Sequence, residues 1–260
     1  MSDFLHCELP VVGKRVFRLG LSASFGLDEA GIRHALDRGV NYVYVTAGAR
    51  RLVAPLRDAL RADRDRMVVA VTTTIALFGG SVRRAAERAL KRFGADYLDI
   101  LQLGWLGVTA ALTDGTLREL RHLKESGKVR ALGTSIHDRP RAGRLVEEGP
   151  LDLFMLRYNA AHPGAERDVF PHLDKRRPAV VAYTATSWRK LLQRPSRWQG
   201  AVPTAGDCYR FCLTSPHVDV VLTGPANAAQ LDANLAALDK GPLSDDEMKW
   251  MREFGQVVHG

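Results

Sequence analysis

The chain has 260 residues, of which 46% are hydrophobic and 25% charged, a composition typical of a globular protein with a sizeable core. It contains no run of about 18 apolar residues, and acidic Asp3 and Glu8 stand where a signal peptide would be apolar, so we expect no membrane span and a cytoplasmic location. The three cysteines cannot make a disulfide framework and are expected to be free thiols. The formal charge of +8 is spread over scattered basic doublets without interleaved aromatic residues, which argues against nucleic-acid binding.

The pattern of elements begins with a hairpin and then alternates strands and helices. Residues 9–15 are typical of a small β-hairpin that could cap the floor of a barrel. Short β-branched runs then alternate with 3.6-period segments about eight times, at intervals of roughly 30 residues. The predicted strands are 17–21, 41–46, 67–72, 97–103, 131–135, 153–158, 180–184 and 218–222. The predicted helices are 28–38, 81–93, 113–126, 139–148, 166–175 and 227–238, and an extra helix over 244–258 opens on a capping box.

This alternation predicts an α/β fold. Several strands are continuously apolar, as parallel strands buried on both faces should be. Eight strand-helix units in about 250 residues favour a (β/α)8 TIM barrel over a doubly wound sheet, here with an N-terminal hairpin and a C-terminal extra helix. No linker or low-complexity stretch interrupts the chain, so we expect one domain over 1–260, as a monomer or homodimer. Residues 187–206, rich in Trp and Pro, are expected to form a lid or wall over the pocket.

In such barrels the chemistry lies at the carboxyl ends of the strands. The residues that follow the predicted strands include no lysine, no pair of carboxylates and no two histidines with metal-ligand spacing. We therefore expect no metal site and no glycosidase chemistry, because both need those groups.

Three phrases in a characteristic order point to a known family. They are 39–42 before the second strand, 96–103 in the fourth strand, and 127–133 entering the fifth. With Ala182-Tyr183 and the segment 224–234, they resemble the aldo/keto reductases over nearly the whole chain, residues 9–243. The resemblance implies a barrel that passes a hydride from NADPH to a carbonyl with an Asp, Tyr, Lys and His tetrad.

The tetrad itself is missing from the positions that the resemblance implies. The aspartate falls on Tyr44 or Val45, and the tyrosine on Ala49 or Arg50. The lysine falls in the threonine run 72–74, and the histidine falls on Gly104. A positioned general acid contributes typically 10²–10⁴-fold, so family-type carbonyl reduction should be severely impaired.

The positions that would hold the cofactor are partly retained. The resemblance implies that Tyr183 stacks on the nicotinamide ring, and Ser135 and Asn234 are also retained. The glutamine that holds the nicotinamide amide in the family appears as Met155, and the family's asparagine beside Ser135 appears as Ile136. The basic pair that clasps the 2′-phosphate in many members appears as Gly224 and Gln230. The site is therefore predicted to bind NADP or NAD weakly, without a supported preference for NADPH.

Other residues near the strand ends could supply new chemistry. The candidate acids are Tyr44, Tyr158 and His162, although Tyr44 could equally fill space left by the missing histidine. His162 titrates near neutrality and Glu166 could orient it; alternatively His162 is solvated and Glu166 complements a helix dipole. The candidate substrate-pocket residues are Arg50, Thr73, Gly104, Trp105, His137, Asn159 and Trp188. Several of these residues have a structural alternative. The tryptophans could simply pack, His137 could help to cap the next helix, and Arg50 could be a solvated surface charge.

Three functions fit this sequence. The first is a divergent NAD(P)-linked oxidoreductase that acts on a small molecule with a non-standard acid. The second is a catalytically inactive barrel that binds a small-molecule ligand or regulates. The third is non-redox chemistry such as isomerisation or elimination.

Overall fold

The computed structural model describes residues 3–259, and their main feature is a closed barrel of eight parallel strands. An antiparallel hairpin precedes it. The hairpin strands are β1 (His6–Leu9) and β2 (Lys14–Phe17), and the barrel strands are β3 (Leu19–Ser22), β4 (Tyr42–Val45), β5 (Val68–Thr72), β6 (Leu98–Leu103), β7 (Val129–Ile136), β8 (Leu153–Arg157), β9 (Ala179–Tyr183) and β10 (Val220–Thr223). Strand β10 closes the barrel by pairing with both β9 and β3. The predicted TIM barrel with its hairpin is confirmed.

Helices follow the barrel strands and cover the outside of the barrel. They are α1 (Glu29–Asp37), α2 (Val53–Ala62), α3 (Gly79–Phe93), α4 (Asp114–Glu125), α5 (Arg139–Glu148), α6 (Ala165–Asp168), α7 (Ala205–Thr214), α8 (Ala228–Leu238) and the C-terminal α9 (Asp245–His259). Side-chain caps begin several of them. Asp28 accepts from the Gly31 amide before α1, and Asn227 accepts from the Gln230 amide before α8. The predicted capping box of the last helix is present, because Ser244 and Glu247 bond each other's backbone amides.

The predicted helix over 166–175 is wrong. Helix α6 ends at Asp168, and a 3-10 turn over Phe170–Asp174 replaces the rest. Pro171 explains the break, since proline donates no amide hydrogen bond and clashes with the carbonyl one turn earlier.

Two helices were not predicted from the periodicity. Helix α2 carries Pro55 in its first turn, where a missing amide is tolerated. Helix α7 begins at a capping box of Thr204 and Asp207, and it is buried along most of its length.

The hairpin closes the floor of the barrel. The inward side chains of the strands form one apolar cluster that includes Tyr42, Ile100 and Val181. Leu9 and Val16 of the hairpin belong to the same cluster. A second cluster, between the strands and the helices, forms the rest of the core.

A buried ionic group fastens the hairpin to the barrel. The Lys14 ammonium lies 2.8 Å from Oδ1 of Asp99, and the Arg64 guanidinium lies 2.8 Å from Oδ2. The Val69 amide also donates to Oδ2 of Asp99, at 2.9 Å. Asp99 is fully buried, so its charged carboxylate depends on these partners to offset the loss of hydration.

None of the helices described over residues 3–259 is long and apolar enough to cross a bilayer.

Candidate functional site

A cavity of about 530 Å³ opens at the carboxyl ends of the barrel strands. Its size is in the range of small-molecule sites. It is lined by Ser22, Ser24, Phe25, Tyr44, Thr46, Thr72, Thr73, Gly104, Trp105, Thr109, Ser135, His137, Met155, Tyr183, Thr184, Ala185, Thr186, Trp188, Arg189, Tyr209, Leu222, Thr223 and Gly224. We call this cavity the mouth pocket. Of the residues predicted to contribute, it brings together Tyr44, Thr73, Gly104, Trp105, Ser135, His137, Tyr183, Trp188 and Gly224.

Two of the phenols in the mouth pocket, Tyr44 and Tyr183, and its imidazole, His137, have shifted pKa values. The Tyr183 hydroxyl lies 2.8 Å from Nε2 of His137, which fixes both side chains. Burial raises the pKa of Tyr183 to about 12. Burial also raises the pKa of Tyr44, with a partly opposing hydrogen bond to Thr72. Burial, and next the charge of Arg157, lowers the pKa of His137. Both phenols are therefore protonated near neutrality, and they act as hydrogen-bond donors.

The backbone occupies the place where the family resemblance expects a histidine. The Gly104 amide donates to Oγ1 of Thr73 at 3.0 Å, and Oγ1 of Thr109 donates to the Gly104 carbonyl at 2.8 Å. A Cβ on Gly104 would overlap the Thr73 carbonyl oxygen and lie 3.0 Å from Oγ1 of Thr72. The direction that a side chain at position 104 would take is thus closed by main chain.

The loop after β9 has an unusual backbone. Ser187, Trp188 and Arg189 have φ angles of 48°, 55° and 70°, three consecutive non-glycine residues in the left-handed region. Each such residue costs of order 1 kcal/mol, a kind of strain that gathers at functional sites. Trp188 and Arg189 line the mouth pocket.

The rest of the predicted lid is structural. The Trp198 ring packs edge-on against Phe254 of α9, and its indole nitrogen donates to the Ala201 carbonyl. Only the first residues of the segment 187–206 form a wall of the mouth pocket.

Two of the three predicted acids lie outside the mouth pocket. Tyr158 is 1% exposed, and its hydroxyl donates to Oε1 of Glu166 at 2.6 Å, on the outer side of the barrel. Glu166 also holds Arg252 through two contacts of 2.9 and 3.0 Å, so it does not orient His162. Burial, followed by the charge of Arg157, lowers the pKa of His162 to about 4. His162 is therefore neutral near pH 7 and is not an acid there, which corrects both predictions.

Asn159 and Arg50 were predicted to line the substrate pocket, and neither does. Asn159 is fully buried and holds the loop together, since its amide nitrogen donates to the Thr184 carbonyl at 2.8 Å and its oxygen accepts from the Ala161 amide at 3.0 Å. Arg50 is exposed and does not line the mouth pocket.

Among the predicted cofactor residues, two do not line the mouth pocket because they are used internally. The side-chain oxygen Oε1 of Gln230 accepts from the Ala226 amide at 2.9 Å. The Asn234 amide donates to Oγ1 of Thr223 at 3.2 Å and is buried. Gly224 lies against the Phe25 ring, leaving no room for a Cβ there.

Sequence reasoning missed several lining residues. Ser22 is the last residue of β3, whose end was predicted one residue early, and Ser24 and Phe25 follow it. Tyr209 comes from the unpredicted helix α7. The capping-box spacing of Thr204 and Asp207 was the signal that could have found that helix. Across the described residues, no cluster of three or more His, Cys, Asp or Glu side chains could hold a metal ion.

Comparison with known proteins identifies relatives of this sequence. The profile of the aldo/keto reductase family matches residues 27–190. The chain is 24% identical to an NADH-specific methylglyoxal reductase of Escherichia coli (strain K12), over 68% of this chain and 65% of that protein. It is 26% identical to the methylglyoxal reductase YeaE of the same organism, over 68% and 64% of the two chains. The matched region thus spans just under two thirds of each relative.

Solved structures share the fold. The holo form of the aldo-keto reductase AKR11C1 from Bacillus halodurans superposes with a TM-score of 0.79 at 21% identity, covering 96% of this chain and 95% of that one. An aldo-keto reductase from Klebsiella pneumoniae in complex with NADPH has a TM-score of 0.75 at 21% identity, covering 94% and 93%.

Proposed function

Because the chain belongs to the aldo/keto reductase family, we propose that it is a divergent oxidoreductase that reduces a carbonyl group on a small molecule with NADPH or NADH. The observation that carries the proposal is the mouth pocket, where Tyr44, Ser135 and Tyr183 face one cavity at the strand ends. A relative named for NADH and methylglyoxal, and a neighbour solved with NADPH, support the choice of cofactor and reaction.

The residues present fit the nicotinamide end of such a cofactor. When bound, the dinucleotide would supply a hydride. The Tyr183 ring forms one wall, held by its bond to His137, and Ser135 lies beside it in the lining. Arg189 is the cation that lines the cavity and suits a phosphate group. Because Gln230 and Asn234 are engaged internally, this site is expected to hold the dinucleotide weakly and to discriminate little between NADPH and NADH.

The proton needs a donor from the chain. Carbonyl reduction adds a hydride to carbon and a proton to oxygen. Tyr44 faces the mouth pocket beside Thr72, and it stays protonated because burial raises its pKa. It can donate a hydrogen bond to the carbonyl oxygen, but a raised pKa makes it a weak acid, so turnover should be slow.

A second function is favoured by a specific observation. The lining of the mouth pocket, within the described residues, contains no lysine and no carboxylate to assist a phenol. A barrel that binds a small molecule without reducing it fits that lining equally well.

The experiment that tests the proposal is a titration with NADPH and NADH, followed by tryptophan fluorescence and thermal stability. Binding to the folded state raises apparent stability by mass action. Dinucleotide oxidation is then measured with a panel of carbonyl compounds, including methylglyoxal, for the wild type, Tyr44→Phe and the control Tyr158→Phe. We expect binding, slow turnover, and loss of turnover in Tyr44→Phe alone.

Binding without turnover on any carbonyl would favour the binding barrel. No binding at about 1 mM dinucleotide would refute the oxidoreductase, since it corresponds to less than about 4 kcal/mol of binding free energy.

A further inference from the structure

A cation at the rim of the mouth pocket has no acidic partner among residues 3–259. Arg157 ends β8, and Met155, two residues earlier on the same face of the strand, lines the cavity. Arg157 is in register with Tyr183 of β9, another lining residue. Arg157 is not itself one of the lining residues, and the strand alternation and the register place it just above them, at the rim. Its side chain is partly buried, and it takes part in none of the hydrogen bonds or ion pairs found between side chains of residues 3–259.

The carboxylates near Arg157 in the chain are committed elsewhere. Glu166 is held by the Tyr158 hydroxyl and by the guanidinium of Arg252. Asp168 is held by Arg139 and Arg167. The rim therefore keeps an uncompensated positive charge.

Neighbouring groups respond to this charge, and none of them offsets it. Burial is the main cause of the lowered pKa of His162, and the charge of Arg157 is the second largest. The charges of Arg139 and Lys190 lower this pKa further. The charge of Arg157 also lowers the pKa of His137, again after burial. A local field of one sign attracts an anionic ligand.

Large apolar and aromatic side chains also line the mouth pocket. Trp105 is 48% exposed and Phe25 is 51% exposed, although both are large hydrophobic residues. Both line the mouth pocket, above Met155 and Leu222. Exposed aromatic rings around a cavity are typical of a ligand site.

From this arrangement we infer that the mouth pocket takes an organic acid, with its carboxylate on Arg157 and an apolar or aromatic body against Trp105 and Met155. The inference rests on the proposed function and names its substrate class, a carbonyl compound that carries a carboxylate, such as an aromatic 2-oxo acid. Methylglyoxal carries no charge, so this class differs from the one in the names of the relatives. Arginine suits a carboxylate because its planar fork can donate two parallel hydrogen bonds.

A dinucleotide phosphate is the other anion that Arg157 could meet. Arg189, on the loop after β9, is the cation already in the lining. The test must therefore separate an organic acid from a phosphate.

The test measures the affinity of phenylpyruvate and of its uncharged analogue phenylacetone by calorimetry, with and without saturating NADP⁺. The oxidised cofactor has no hydride to transfer, so neither ketone is consumed during the titration. NADPH and NADH are titrated separately. The variants are Arg157→Gln, Arg157→Lys and the control Arg51→Gln, an exposed cation of the β4–α2 loop whose guanidinium contacts the Gly26 carbonyl. All are checked for unchanged thermal stability.

We expect phenylpyruvate to bind more tightly than phenylacetone to the wild type. Arg157→Gln should lower the affinity for phenylpyruvate by about tenfold or more. Arg157→Lys should have an intermediate affinity, and Arg51→Gln should bind like the wild type. The affinities of the variants for phenylacetone and for the dinucleotides should differ from those of the wild type by less than about threefold.

Equal affinity for the acid and its neutral analogue, or unchanged acid affinity in Arg157→Gln, would overturn the inference. A loss confined to the dinucleotides would assign Arg157 to a phosphate instead. Acid binding without any dinucleotide binding would uphold the site while refuting the oxidoreductase, so the two failures are distinguishable.

Discussion

Substituting Gly104 by alanine tests whether the main chain has closed the place of the missing histidine. A Cβ there would overlap the Thr73 carbonyl oxygen and stand 3.0 Å from Oγ1 of Thr72, where ordinary contact begins near 3.4 Å. The Thr73 backbone cannot retreat freely, because its amide donates to the Gln102 carbonyl at 2.8 Å. Overpacking of this kind costs typically 1–3 kcal/mol. At about 2 kcal/mol, the midpoint of thermal unfolding should fall by roughly 4–8 °C.

The matched control is Gly48→Ala, in a loop at the same end of the barrel, where a Cβ would meet nothing within 4 Å. Its free energy of unfolding should change by about 0.5 kcal/mol or less. Both variants are compared by calorimetry and urea unfolding. If Gly104→Ala is as stable as Gly48→Ala, the main chain does not fill this space, and a restored histidine could enter the mouth pocket.

Three further predictions concern stability, pH and spectroscopy. Asp99→Asn should cost about 3–5 kcal/mol in urea unfolding, because it leaves the buried Lys14 and the partly buried Arg64 without their carboxylate. The exposed Asp3→Asn should cost about 1 kcal/mol or less, and equal losses for the two variants would contradict the buried ionic group. Burial lowers the pKa of His162 to about 4, whereas in the unfolded chain this pKa returns to about 6.5. The unfolded state therefore binds the proton first, and the free energy of unfolding should fall as the pH drops from about 6.5 to 4. His162→Gln should flatten this pH dependence, and an unchanged dependence would refute the assignment. Trp188 is 67% exposed, so Trp188→Ala should leave the free energy of unfolding unchanged but remove much of the fluorescence response to a bound ligand. Trp198→Phe, at a ring packed on Phe254, should keep that response. The opposite pattern would place the ligand outside the mouth pocket.

The barrel and much of the mouth pocket could be predicted from the sequence because strand periodicity decides which side chains face inward. On β8, Met155 belongs to the cluster inside the barrel and Tyr158 to the cluster between the strands and the helices, as the alternation of side chains along a strand requires. The mistaken choice of Tyr158 as an acid came from grouping the residues of one loop without applying that alternation.

The loop after β8 could not be predicted in the same way. Asn159 and His162 form a local bridge that turns the chain back and uses the Asn159 side chain internally. Such contacts depend on the three-dimensional path of the loop, which has no periodic pattern. Phe25 and Tyr209 were missed because one lies on a loop and the other on a helix distant in sequence.

The hairpin has a consequence for kinetics. Leu9 and Val16 belong to the apolar cluster that fills one end of the barrel, and among the described residues the mouth pocket opens at the opposite end. A compound resting on Met155 and Leu222 cannot diffuse away while a larger molecule covers it. Two occupants would therefore exchange in a fixed sequence, with the outer one departing first.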